Sequence, residues 1–181
     1  MVATTAEPAG GARAGGRTAA RRAQAAEELA ACTARALSGV PGLRFRGHLL
    51  SDGRRPGAAL APHLRVDPGS DDRACLRGAA DGVALQMLHT DPDRHAERRP
   101  ADPVARFVFD LLEQFRVESL VAPAHPGVRA NLRHRFRHWV VGAHDGGLTR
   151  TASGLLLHTL AEVVRFRVNG DPTCLLYTSD A

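Results

Sequence analysis

The chain contains no lysine; all 24 of its basic residues are arginine. A P-loop needs a lysine at the phosphates, so nucleotide held in that manner is excluded. Aromatic residues make up only 4% of the 181 positions. The core must therefore be built mainly from Leu, Val and Ala, which favours helices. Base stacking beside the arginine clusters is poorly served, which argues against nucleic acid as a partner. The zinc-protease pattern HExxH is absent, and so is Asp-x-Ser-x-Ser, the metal-ion adhesion pattern. No catalytic Ser/His/Asp arrangement is suggested by spacing, so no catalytic residue and no bound cofactor is expected. No apolar run approaches the length of a membrane span, and Met1 is not followed by an apolar signal core. A cytoplasmic location without membrane attachment is the expectation. Cys32, Cys75 and Cys174 show no paired spacing, so neither a disulfide nor a zinc knuckle is indicated.

What is present is Ala, Gly and Arg. The net charge of +5 and the pI of about 10.3 follow from a composition that GC-rich codons favour, which weakens the usual inference from a basic pI to nucleic acid. The length suits one domain with a real core. Residues 1–16 read as a disordered tail. Residues 17–170 read as a mainly α domain, an antiparallel helical bundle with a small β-hairpin near its N-terminus. The helical stretches are Arg17–Ser38, Arg73–His89, Val104–Val121, Val128–Val141 and Leu148–Val168, with His95 in a short segment between the second and third. Gly39 and Gly170 are stop signals. Ser70, Asp71 or Asp72 and, later, Asp102 are the N-caps. In the first helix Leu29, Cys32, Ala36 and Leu37 make a thin apolar face. Gly78 and Gly82 permit close helix contact. The hairpin pairs Leu43–Leu50 with Ala58–Val66 across the turn Ser51-Asp52-Gly53. In the last helix Leu156, Leu160, Val163 and Val164 are the core positions.

The stretch Val104–Val121, VARFVFDLLEQFRVESLV, organises the rest. At 100° per residue, Val104, Phe107, Val108, Leu111, Leu112 and Phe115 share one face. Arg106, Asp110, Glu113 and Gln114 lie opposite. Glu118 falls inside the apolar arc, and Arg116 also intrudes on it. A buried carboxylate requires a partner, with His95 or Arg129 as the candidates. Glu113 and Arg116, at i and i+3, suit a pair along the helix surface.

Two constellations offer metal-ligand chemistry. His134 and His138 are four apart on a helix, a bidentate spacing. They lack a nearby helical carboxylate, and in the run HRFRHW a solvated face is the expectation. His89, His95, Glu113 and Glu118 form the other set. If the segment before the central helix folds across it, His95, Glu113 and Glu118 make a weak metal site, the basis of a second reading as a metal-binding, possibly hydrolytic helical domain.

Four segments in order, LRGAADGVALQMLH (Leu76–His89), RHAE (Arg94–Glu97), ARFVFDLLEQFRVESL (Ala105–Leu120) and GVRANL (Gly127–Leu132), resemble the N-terminal region of the T subunit of aerobic cobaltochelatase. Glu113, Gln114, Arg116, Glu118, Gly127 and Asn131 carry the most specific part. Shorter versions occur in von Willebrand-A proteins that work with MoxR-type ATPases. The resemblance implies an assembly role. An AAA+ subunit would handle ATP and a large tetrapyrrole-binding subunit the cobalt, in a hetero-oligomer that inserts cobalt into a corrin precursor. A chaperone for another metal-centre client is the alternative within the same resemblance. The closing run Cys174–Ala181, CLLYTSDA, reads as the translation of a transposon-end sequencing adapter. On that reading residues 171–181 are a junction and scar, and a C-terminal von Willebrand-A domain would lie beyond them.

Overall fold

Asp72 starts the helix on which the rest of the molecule rests. Its carboxylate accepts from Cys75 N at 2.7 Å, and helix α2 then runs Arg73–His89. In the computed structural model, residues 10–46, 49–51, 60–66 and 71–172 are described. From Gly78 to Gln86 every residue of α2 is buried. Small side chains make this possible. A Cβ on Gly78 would stand 2.4 Å from the carbonyl oxygen of Asn131 and 2.7 Å from Arg135 Cβ. Helix α5 (Pro126–Asp145) therefore lies directly on α2. Helix α1 (Gly10–Ser38) lies along a second side of α2, and α4 (Pro103–Ser119) along a third. Helix α6 (Ala152–Asn169) packs on α4. A short helix α3 (Pro92–Arg98), capped by Asp91, joins α2 to α4.

The mainly helical bundle is as expected, with the caps at Asp72 and Asp102 and the stops at Gly39 and Gly170, both at φ +69°. The centre is different. It is α2, whose small residues admit neighbours on three sides, rather than α4. The hairpin is also corrected. Ala58–Val66 forms no strand among its described residues: Pro62–Leu64 is a 3-10 turn. The only ladder described is three residues a side, with β1 (Arg44–Arg46) antiparallel to β2 (Leu49–Ser51) inside what reads as a single strand. Helix α1 begins at Gly10, inside the segment read as a disordered tail. Residues 1–9 and the run Cys174–Ala181 lie outside the described residues.

Several faces are rotated from the sequence reading. On α4 the inward arc takes in Asp110, Gln114 and Val117 beside Leu111, Phe115 and Glu118, a turn of roughly 60° at 100° per residue. Val104 and Leu112 are exposed. On α6, Leu156 and Val163 face outward, the former 69% exposed. Met87 and Leu29 are exposed, as is Cys32, so that cysteine is not a core residue. The shift on α4 has one cause: polar partners from other elements meet Asp110, Gln114 and Glu118, so burial does not need an apolar side chain there. Among the described residues no helix is long and apolar enough to cross a membrane.

Candidate functional site

Glu118 sits near the C-terminal end of α4, buried to the last atom of its side chain. The 3-10 turn Pro62–Leu64 brings His63 against it, with Nε2 3.0 Å from Oε1. Gln114, one turn earlier on α4, donates to the same oxygen at 2.8 Å and to the Gly82 carbonyl of α2 at 3.1 Å. Arg165 of α6 donates to Oε2 through Nη1. Arg165 Nε also donates to Asp171 at 2.8 Å, and Arg133 of α5 donates to the other oxygen of Asp171 at 2.9 Å. Two carboxylates and two guanidiniums thus alternate from the centre of the bundle, at Glu118, out to the partly exposed Arg133. Phe115 and Phe136 lie under the Arg165 guanidinium, 5.4 and 5.0 Å from its centre. The ring of His63 packs against both phenylalanines.

The electrostatics follow from this geometry. Burial would raise the Glu118 carboxyl, but Arg165 beside it and the hydrogen bonds from His63 and Gln114 outweigh burial and hold it at about 2. Burial pushes the His63 imidazole below its ordinary value despite the attraction of Glu118, and the nearby Arg165 and Arg135 act in the same direction. His63 is therefore neutral, with the proton on Nε2 facing Glu118 and Nδ1 without a hydrogen-bond partner among the described residues. A cavity of about 80 Å³ beside Glu118, Arg129, Arg165 and Asp171 connects this network to the surface. It has room for water but not for a tetrapyrrole, which needs a site several times larger.

Other residues of the specific segments form their own locks. Asn131 donates to Asp81 at 2.9 Å, so the first and fourth segments meet across α2 and α5. Burial raises the Asp81 carboxyl, and the Asn131 bond offsets part of that. Glu113 and Arg116 pair at 2.7 Å, as their spacing predicts, and also hold the end of α2: Arg116 donates to the His89 carbonyl and Thr90 to Glu113. Hydrogen bonding by Arg116 is the main cause that lowers the Glu113 carboxyl. Gly127 has open space where a Cβ would lie.

His95, Glu113 and Glu118 do not come together. His95 meets Asp110 at 3.1 Å, and Arg99 holds the same carboxylate. Asp110, read as outward, is only 6% exposed for that reason. Glu118 is buried and paired as its place in the arc predicts, but with His63 and Arg165 rather than His95 or Arg129. His63, Arg165 and Asp171 are the residues that sequence reasoning missed. Arg165 lies in an apolar helical stretch, VVRF, and that intrusion was the available signal. His63 offered none, since its segment reads as an edge strand. Asp171 lies just past the stop signal at Gly170.

The arrangement holds no nucleophile with a base to activate it. Its hydrogen bonds and ion pairs join the 3-10 turn and helices α2, α4, α5 and α6. The family model for cobalamin biosynthesis protein CobT matches residues 22–175. No solved structure matches the chain.

Proposed function

Because the chain belongs to the CobT family of cobalamin biosynthesis proteins, we propose that it is the assembly domain of the T subunit of an aerobic cobaltochelatase. In this reading it docks on an AAA+ ATPase and transmits the ATPase's movement to the large subunit that binds the corrin precursor. The observation that carries the proposal is a buried charged network beneath an apolar face that stays exposed among the described residues. The charges inside the bundle tie α4, α5 and α6 together. Outside, Leu155, Leu156, Val163 and Phe166 of α6 remain exposed on one side. An apolar stripe of this kind is what a partner helix or groove covers. ATP and cobalt are left to the other subunits, in keeping with a chain that has no P-loop lysine.

Co-elution of the chain with the ATPase subunit tests the reading. The unaltered chain should form a complex with the ATPase. Leu156→Asp, at the most exposed of these positions, should abolish it while leaving the helical circular dichroism unchanged. Full complex formation by Leu156→Asp and Val163→Asp together would remove α6 as the docking face. Failure of the unaltered chain to bind the ATPase would remove the assembly role itself.

A further inference from the structure

The first turn of α2 and the outer side of α5 bring together side chains that the buried network does not use. Cys75 is buried in that turn, and Asp71 and Asp72 precede it. His134 and His138, one turn apart on α5, stand over them. His134 Nε2 is 3.0 Å from Asp72 Oδ2, and His138 Nδ1 is 3.6 Å from Asp71 Oδ1. The ligand atoms of Asp72, Cys75 and His134 all lie within 4.8 Å of one another, and so do those of Asp71, Cys75 and His138. Cys75 is common to both sets.

We propose that these residues are a site for a divalent cation of the zinc type, with Cys75, His134, His138 and Asp72 as its ligands. A thiolate, two imidazoles and a carboxylate are the donors such an ion selects. With metal–ligand bonds of about 2.0–2.3 Å, tetrahedral ligands stand about 3.3–3.8 Å apart, so each set of three, whose ligand atoms lie within 4.8 Å of one another, has to draw closer and the two sets have to share one ion. The side chains of His134 and His138 are 47% and 37% exposed, so packing does not enclose either ring on its solvent side. Asp72 is already steadied: one oxygen caps α2 by accepting from Cys75 N, which leaves Oδ2 toward His134. The backbone bond orients the carboxylate as an outer-shell partner orients a metal ligand. Asp71 plays another part. It pairs with Arg135, whose guanidinium would otherwise repel a cation here. With Asp71 neutralising Arg135, the thiolate and the Asp72 carboxylate balance a doubly charged ion. Binding would pin the start of α2 to α5, across 62 residues of sequence, next to the close contact at Gly78.

The test uses the full chain, stripped with a chelator and titrated with Zn²⁺ alone. One equivalent should bind and raise the thermal midpoint. Co²⁺ in its place should give a thiolate-to-cobalt charge-transfer band, and Cys75→Ser should remove that band. His134→Asn and His138→Asn should each weaken Zn²⁺ binding by more than about tenfold, the least that losing even an outer-shell partner typically causes. His125→Asn, at an exposed histidine elsewhere, should leave binding unchanged. If Cys75→Ser fails to fold, the two surface variants still decide the matter. Binding without a charge-transfer band, or binding at full strength in the His134→Asn/His138→Asn double variant, means an adventitious ion only and overturns the site. So does the absence of stoichiometric binding.

Discussion

Two seams hold this bundle, and they are built from opposite materials. Where α1 meets α2, the filling is small and dry: Ala31, Ala34, Leu43, Ala61, Leu64, Val83 and Ala84. Where α4, α5 and α6 meet, Leu111, Phe115, Phe136 and Val140 surround a chain of charges running from Glu118 through Arg165 to Asp171 and Arg133. The dry seam gains a little from each methyl group and tolerates loss in small steps. The charged seam holds as a unit. Glu118, Arg165 and Asp171 there have given up nearly all their water, and only their partners repay that cost; Arg133, at the end of the chain of charges, keeps 40% of its side chain exposed.

The sharpest way to break the comparison is Glu118→Ala. It leaves Arg165 with one carboxylate instead of two and His63 with none. The expected loss is about 3–5 kcal/mol, typical of removing one partner of a buried pair, read from urea unfolding. A double variant, Glu118→Leu with Arg165→Met, should be more stable than Glu118→Ala, because no guanidinium is then left short of its partner, and Asp171 keeps Arg133. If the double variant is worse by the sum of its parts, the two charges are not coupled and the seam is not a unit.

The contact of α2 with α5 has its own rigid point. Gly78→Ala puts a Cβ against the backbone of Asn131, which cannot step aside, so a loss of about 1–3 kcal/mol is expected. Gly82→Ala should cost less. Its first obstacle is Cδ2 of Leu64 at 2.6 Å, the far end of a side chain that can turn. Equal unfolding midpoints for the two variants would show that α2 and α5 are not in the close contact described.

Acid should separate the seams, since only one of them titrates. The folded state keeps the His63 imidazole below its ordinary 6.5. As pH falls past 6.5, the unfolded chain therefore takes up the proton first, and stability declines. Glu118 adds to this at lower pH. Its stabilisation is complete above its ordinary 4.5 and is lost as pH falls through the window toward about 2. His63→Gln, which can still donate to Glu118, should flatten the upper part of this decline and leave the lower part. An unchanged profile between pH 6.5 and 5 would mean that His63 is not the group responsible.

The close contacts and helix ends were largely legible in the sequence, the charged seam only in outline. Gly78 and Gly82 announce close contact by their spacing, and Asp72, Asp102, Gly39 and Gly170 mark helix ends by chemistry that acts within a few residues. Glu118 announced its burial by lying in an apolar arc. Its partners could not be read, because His63 and Arg165 lie 55 and 47 residues away and nothing local ties them to α4. Asp110 and Gln114 were misplaced for the same reason. A polar residue that finds a distant partner looks, in sequence, like one that faces water. On α6 the error ran the other way: Leu156 and Val163 look like core and are exposed.

Arg116→Ala should give the smallest effect on the fold. The Arg116–Glu113 pair has the sequence spacing of a lock, but Arg116 is half in water, at 50% side-chain exposure. Exposed pairs contribute about 0–1 kcal/mol, and the lost bond to the His89 carbonyl adds little where water can replace it. An unfolding midpoint close to that of the unaltered chain is expected, in contrast to Glu118→Ala. The informative measurement is then co-elution with the ATPase subunit. Arg116 and Glu113 belong to the most specific segment of the chain, yet they do not serve the charged seam. If Arg116→Ala folds normally and binds the ATPase normally, that part of the motif only steadies the end of α2. If it folds normally and loses the ATPase, the contact face extends from α6 to the outer side of α4, and the motif divides at Gln114 into an inward half that fixes the bundle and an outward half that presents it.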